Sequence, residues 1–229
     1  MSELTTLALD EFTRYVDDEL AKYPDGTEFR AGGRKTKQWP DGENLDWWRE
    51  DGPEQIKGYI QWRENNPNLE LAVFAGKPAV EVEVSAVIHD TLTLRGFIDR
   101  VFLDTNTNTY LIVDLKTGRN SPPSPLQLAF YRLALRDTLG VDVPLGAYYM
   151  SRKNSLGPIF DLWYPRDVIV DWLTKARILI DNDLFVPHLT SMCGSCGVKD
   201  YCYAYNPLVP APFSFTPDSN TTEMEVTNE

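Results

Sequence analysis

The feature that constrains this chain most is a short apolar run, Leu111-Ile112-Val113, that leads into Asp114-Leu115-Lys116. Read as a strand, it puts Asp114 and Lys116 on one face, because side chains two apart in an extended chain point the same way. Charge at the end of an otherwise buried strand is costly unless it is paired or holds a metal ion. This face is therefore expected to be a site. A second hydrophobic strand, Leu92 to Ile98, ends in Asp99, and Glu81 lies on the strand before it. Three acids converging with one lysine suit a hard divalent cation that takes oxygen ligands. That is the chemistry of metal-assisted phosphodiester hydrolysis.

The flanking pattern predicts an α/β fold, a mixed sheet with helices packed on it. Residues 5–22 carry Leu9, Phe12, Val16 and Leu20 at helical spacing. Tyr23 to Gly42 is rich in Gly, Pro and charge, and reads as a loop holding Arg30, Arg34, Lys35 and Lys37. A second helix is expected to start after Gly52, with Pro53 in its first turn, and to end before Asn66-Pro67-Asn68. Extended runs follow at 69–75, 79–88 and 91–103, the last two joined by a turn at His89-Asp90. Glu81 and Glu83 share one face of their strand. After the strand at 110–116, Pro122 to Pro125 opens a helix that closes near Gly140. Strands at 145–151 and 158–164 and a helix at 166–181 complete the pattern. Gln127 and Tyr131 lie four apart, hence on one helical face.

Gly96-Phe97-Ile98-Asp99-Arg100-Val101, then Ile112-Val113-Asp114-Leu115-Lys116-Thr117-Gly118, then Gln127-x-x-x-Tyr131 resemble, in order and spacing, the RecB-type branch of the PD-(D/E)xK nucleases. That branch includes CRISPR-associated RecB-like exonucleases and small phage exonucleases. The resemblance runs over residues 79–139. It implies a restriction-endonuclease-like mixed β-sheet core flanked by helices. It also implies Mg²⁺ or Mn²⁺ held by Asp99, Asp114, Glu81 and the main-chain carbonyl of Leu115. Lys116 would orient the attacking water and stabilise charge on the phosphate; a lysine is a poor base at neutral pH, so its role is electrostatic. Gln127 and Tyr131 would line the site and touch the DNA strand, and Arg119 would be a phosphate contact. In one respect the chain departs from the pattern. Many relatives place a histidine ligand on an N-terminal helix, whereas this sequence has only His89 and His188. Glu54 or Gln55 is the candidate for the equivalent position.

Cys193-x2-Cys196-x5-Cys202 is a metal-ligand spacing, since the first pair makes a tight chelating turn. The resembling family places the last three ligands of an iron–sulfur cluster here and takes a fourth cysteine from near the N-terminus. This chain has three cysteines in all. His188 would complete a Cys₃His set better suited to zinc; a degenerate cluster that binds nothing is the third alternative.

Residues 1–206 are expected to form a single nuclease domain: a helical part at 1–68, a catalytic core at 69–182 and the cysteine cluster at 188–203. Residues 207–229, proline-rich and then polar and acidic, read as a disordered tail. A net charge of −12 argues against a nonspecific nucleic-acid coating protein. Cations gather locally instead, at Arg95, Arg100, Arg119, Arg132, Arg136, Arg152 and Lys153. No apolar run is long enough for a membrane span, no signal peptide opens the chain, and clustered free cysteines suit the cytoplasm. The function these features imply is a metal-dependent DNA exonuclease working on ends or single strands in recombination, replication or phage DNA processing. A helicase or recombinase partner would do any unwinding. The alternatives are a catalytically weak nuclease-fold module that binds DNA ends, and a CRISPR-adaptation accessory nuclease.

Overall fold

The computed structural model describes residues 2–23, 37, 40, 42–89, 92–182, 184, 187–190 and 193–210. The chain divides into two compact units, Met1–Thr174 and Lys175–Glu229.

The first unit opens with α1 (Glu3–Leu20), capped by the Ser2 hydroxyl, which accepts from the Thr5 amide. α2 (Leu45–Asn65) is capped by Asn44, whose side chain accepts from the Trp47 amide. This corrects the expectation of a helix beginning after Gly52. A capping Asn followed by Asp46 in the first turn satisfies the free amides and complements the dipole. The resulting helix is long enough to carry Pro53 in its interior. The basic loop expected before it falls mostly outside the described residues, as do Arg30, Arg34 and Lys35; so does Asp90 of the expected turn.

The strands are β1 (Leu69–Leu71), β2 (Val73–Phe74), β3 (Lys77–Pro78), β4 (Val80–His89), β5 (Leu92–Asp104) and β6 (Thr109–Lys116). The single run expected over 69–75 is two short strands. β2 folds back on β3 as a separate pair. Next come α3 (Leu126–Leu139), β7 (Leu145–Met150), β8 (Ser155–Leu156) and β9 (Phe160–Asp161), then α4 (Arg166–Asp181). Gly140 ends α3 in the left-handed conformation, the usual helix stop.

One seven-stranded sheet has the order β1-β5-β6-β7-β8, with β4 also on β5 and β9 on β7. β4, β5 and β6 are antiparallel neighbours. β6 and β7 are parallel, registering Asp114 with Tyr148 and Lys116 with Met150, and α3 supplies the crossover that parallel neighbours require. Each face of the sheet has its own core. Ile112, Tyr148, Ile98 and Val84 pack with Leu128, Ala129 and Leu133 of α3. Leu111, Val113, Phe102 and Tyr149 pack with Trp62 and Tyr59 of α2. Alternation along β6 thus sends Asp114 and Lys116 toward α3, and Leu115 toward α2.

A one-turn 3₁₀ helix, Ser151–Lys153, follows β7. It docks on α2 where Gly58 has no side chain: a Cβ there would lie 1.9 Å from Asn154 Oδ1. The second unit holds successive tight turns, with Cys196 N bonded to Cys193 O, Lys199 N to Cys196 O, Cys202 N to Lys199 O, and Tyr205 N to Cys202 O. Among the described residues, no helix is long and apolar enough to cross a membrane.

Candidate active site

β5 and β6 pair regularly from Asp104↔Thr109 to Arg100↔Val113. At the next position the ladder gives way to a side chain: Leu115 N donates to Asp99 Oδ2 at 2.6 Å. The same region disturbs β5 itself. Its inward positions run Leu92, Leu94, Gly96 and Ile98, then resume at Val101, so the alternation slips by one across Asp99-Arg100. On β4, Glu81 lies between the Val80↔Arg100 and Val82↔Ile98 pairs. Its φ is +48°, a conformation that costs a non-glycine residue about 1–3 kcal/mol. Strain of this kind gathers where a site has to be held open.

Asp114, only 2% exposed, is the most deeply buried acid among the described residues. Burial pushes its pKa up and the Asp99 charge adds to this, while the Lys116 ammonium beside it pulls the other way. Lys116 Nζ lies 2.6 Å from Asp114 Oδ2 and donates to Gln127 Oε1 at 3.0 Å. Because Gln127 must offer Lys116 its oxygen, its amide nitrogen faces the other way and donates to Tyr131 Oη at 2.9 Å. The Tyr131 hydroxyl hydrogen is not used in that bond and can be donated outward. Tyr131 is held protonated, first by burial and further by the Asp114 and Asp99 charges. Tyr148, whose ring centroid is 5.6 Å from Lys116 Nζ, is pushed up to about 12 by burial and by Asp114. Gly96 makes room for this row: a Cβ there would sit 3.1 Å from Tyr131 Cε1.

The structure therefore brings Asp99, Asp114, Lys116, Gln127 and Tyr131 together. Glu81 is placed differently. Its side chain is 63% exposed and lies 3.6 Å from Arg100 Nη1. Among the described residues, no group of three or more His, Cys, Asp and Glu side chains could hold a metal ion. The donors present nonetheless fit a small hard cation. Asp114 Oδ2 is buried and has the Lys116 ammonium at 2.6 Å as its partner, so a cation here would share that carboxylate with Lys116 or take its place. Mg²⁺ commonly takes one or two carboxylates and fills its remaining positions with water and substrate phosphate.

Several of the cations that gather in the sequence, among them the expected phosphate contact Arg119, are paired within the protein. Arg95 meets Glu83 at 2.7 Å and Arg132 meets Asp142 at 2.8 Å. Arg119 binds Glu43 at 2.7 Å, and Arg152 binds the same carboxylate at 2.7 and 2.9 Å. Arg152 also donates to the carbonyl of Thr117, next to Lys116, and stacks 4.6 Å from the centroid of Trp47. The two guanidinium groups, Arg152 foremost, hold the Glu43 carboxyl below the usual carboxylate range despite its burial. Sequence reasoning singled out Arg152 only as one of the locally gathered cations and missed Glu43, its partner here; the one available signal was the helix cap at Asn44 beside Glu43.

Of the two candidates for the histidine position, Gln55 faces this region. Ser151 Oγ lies 2.6 Å from Gln55 Oε1 and 3.0 Å from the Lys116 carbonyl. Glu54 instead pairs with Lys57 on the same helix. In the second unit all three cysteines are free thiols. Cys193 Sγ accepts from the Thr190 amide at 3.2 Å and approaches the His188 main-chain carbonyl at 4.0 Å.

An acid at the break in a ladder, a buried acid beside a lysine two residues on, and a helical Gln-Tyr pair over both form one polar cluster on a mixed sheet. The model of the PD-(D/E)XK nuclease superfamily matches residues 3–203, and the chain belongs to that superfamily. Members of it generally use divalent metals such as Mg²⁺, and DNA is the substrate the fold implies. The Gene 69 protein of Mycobacterium phage D29 is 32% identical over 193 residues, covering 74% of this chain and 69% of its own length. The crystal structure of SSO0001 superposes on 70% of this chain and 78% of its own, with a TM-score of 0.40 and 16% identity.

Proposed function

We propose that this chain is a Mg²⁺- or Mn²⁺-dependent DNA exonuclease that hydrolyses phosphodiester bonds at ends or in single strands. The observation that supports the reading is the buried Asp114 carboxylate, paired at 2.6 Å with Lys116 two residues on and near enough to Asp99 for that charge to raise its pKa.

Asp99 and Asp114, with the Leu115 carbonyl, are the residues that would hold the cation. When bound, it polarises the scissile phosphate and lowers the pKa of a coordinated water. Asp99 keeps the Leu115 amide engaged, which fixes the start of the Asp-x-Lys segment against β5. Lys116 exchanges its contact with Asp114 for the phosphate, where its positive charge opposes the charge that develops in the transition state. Gln127 holds the ammonium during that exchange, and Tyr131 donates its hydroxyl hydrogen to a phosphate oxygen of the strand. Ser151, between Gln55 and the Lys116 carbonyl, steadies the same backbone. We take residues 1–206 as the working nuclease domain, with unwinding left to a helicase or recombinase partner.

A second reading, a weakly catalytic module that binds DNA ends, draws on one observation: Glu81 turns to Arg100 and leaves two carboxylates in the cluster. End-labelled single- and double-stranded DNA incubated with Mg²⁺, Mn²⁺ or EDTA separates the two. Metal-dependent cleavage that vanishes in Asp114→Ala and Lys116→Ala supports the exonuclease, and the product ladder gives its polarity. Binding without cleavage in every metal supports the module.

A further inference from the structure

The strand that carries Asp114 and Lys116 loses its strand neighbours close to the lysine. Pairing with β5 ends at Arg100↔Val113, and pairing with β7 ends at Lys116↔Met150. Side chains then take over the main chain. Leu115 N donates to Asp99 Oδ2, the Lys116 carbonyl meets Ser151 Oγ at 3.0 Å, and the Thr117 carbonyl accepts from Arg152 Nε. Ser151 and Arg152 are consecutive residues of the 3₁₀ turn after β7. Arg152 is itself fixed from two further sides. Its terminal nitrogens reach the two oxygens of Glu43 at 2.9 and 2.7 Å. Its guanidinium lies 4.6 Å from the centroid of Trp47 and 5.5 Å from that of Trp48. Glu43 directly precedes the Asn44 cap of α2, and both tryptophans sit in the first turn of that helix.

A guanidinium is planar and presents its donors in a fixed fork. With Nε on the Thr117 carbonyl and both terminal nitrogens on one carboxylate, Arg152 ties that carbonyl rigidly to the start of α2. The Arg152 side chain is 15% exposed and Glu43 is buried, so the pair is a support and not a contact for the DNA strand. What it supports is the segment whose geometry matters most. The Lys116 ammonium is held at its far end by Asp114 and Gln127, and its main chain is held from the next residue by Arg152. A catalytic group displaced by about 1 Å can lose on the order of a hundred-fold in rate. We propose that Arg152 and Glu43 are positioning residues for Lys116: Glu43 fixes Arg152, Arg152 fixes the Thr117 carbonyl, and the main chain from which Lys116 projects is thereby fixed. The proposal rests on the nuclease reading and deepens it, since the start of α2 then sets the geometry of the reaction centre.

The test is single-turnover cleavage of an end-labelled single strand by the full chain in saturating Mg²⁺, well below the melting temperature of each variant. Affinity for the same strand is measured separately in EDTA. Arg152→Ala and Arg152→Lys should each slow bond breaking about ten- to a hundred-fold and leave affinity within about two-fold of wild type. Lysine keeps the charge but cannot hold the Thr117 carbonyl and both Glu43 oxygens at once. Glu43→Gln keeps the shape and one acceptor oxygen, so it should fold where alanine does not and cut at a rate between wild type and Arg152→Ala. If Arg152 only staples the turn to α2, the variants melt earlier while each folded molecule cuts at the wild-type rate, and the proposal is overturned. A loss confined to affinity overturns it too, because Arg152 would then be a strand contact. So does a wild-type rate in Arg152→Lys, where charge alone would suffice. In all three cases wild type still cuts and the nuclease reading stands. A wild type that cuts nothing in either metal removes that reading and the proposal together.

Discussion

Replacing Glu43 by alanine removes the single acid that two arginines share, and the two arginines respond differently. Glu43 is 5% exposed. The Arg152 side chain is 15% exposed and held against Trp47, so its charge cannot return to water without unpacking. The Arg119 side chain is 50% exposed and can be solvated where it stands. Removing one partner of a buried pair costs about 3–5 kcal/mol when the other charge is stranded. Here one arginine of two is stranded, and Arg152 keeps its bond to the Thr117 carbonyl. The expected loss is therefore at the lower end, about 3 kcal/mol. Urea denaturation of wild type, Glu43→Ala, Arg152→Ala and the double variant measures it. The double variant should lose less than the two singles together, by about 1–3 kcal/mol of coupling. Cleavage should slow as well, since Arg152 bonds the residue after Lys116. A loss below about 1 kcal/mol with additive singles, the behaviour of a surface pair, would refute the argument.

The same carboxylate sets an acid limit on stability. Its folded pKa lies below its unfolded one, so the stabilisation is complete above the unfolded value and is lost as pH falls through the lower, folded value. Thermal melting from about pH 7 down to about pH 3 should show that loss in wild type, and Glu43→Gln should lack this share of it. Gly96→Ala puts a methyl 3.1 Å from the Tyr131 ring; overpacking of about 1–3 kcal/mol is expected, with weaker cleavage as Tyr131 is pushed from Gln127. Melting and end-labelled cleavage, run together, check it. Saturating Mg²⁺ should raise the melting temperature, with about 2.7 kcal/mol of stabilisation at a hundred times Kd. Asp99→Asn combined with Asp114→Asn should abolish the rise; an unchanged rise would place the cation elsewhere.

Local spacing made the centre of this site legible. Asp114 and Lys116 share a face because a strand repeats every two residues, and Gln127 and Tyr131 share one because a helix brings residues four apart together. Those regularities hold whatever the rest of the chain does, and the structure joins all four residues into one row. The mixed sheet with flanking helices followed from the same periodicities. The start of α2 was less legible, because Pro53 is the louder signal and the Asn44 cap the quieter one. Other features had no local signal at all. Glu43 meets Arg119 across 76 residues and Arg152 across 109. Glu81 has the composition of a strand ligand, but its backbone turns to a φ of +48° and its side chain to Arg100. The partnerless hydroxyl of Tyr149 exists only because α2 and the sheet close over it. Sequence determines what neighbours along the chain must share. Which distant charges meet, which acid turns away and where a cavity opens depend on how the layers pack, and that is decided only when the chain has folded.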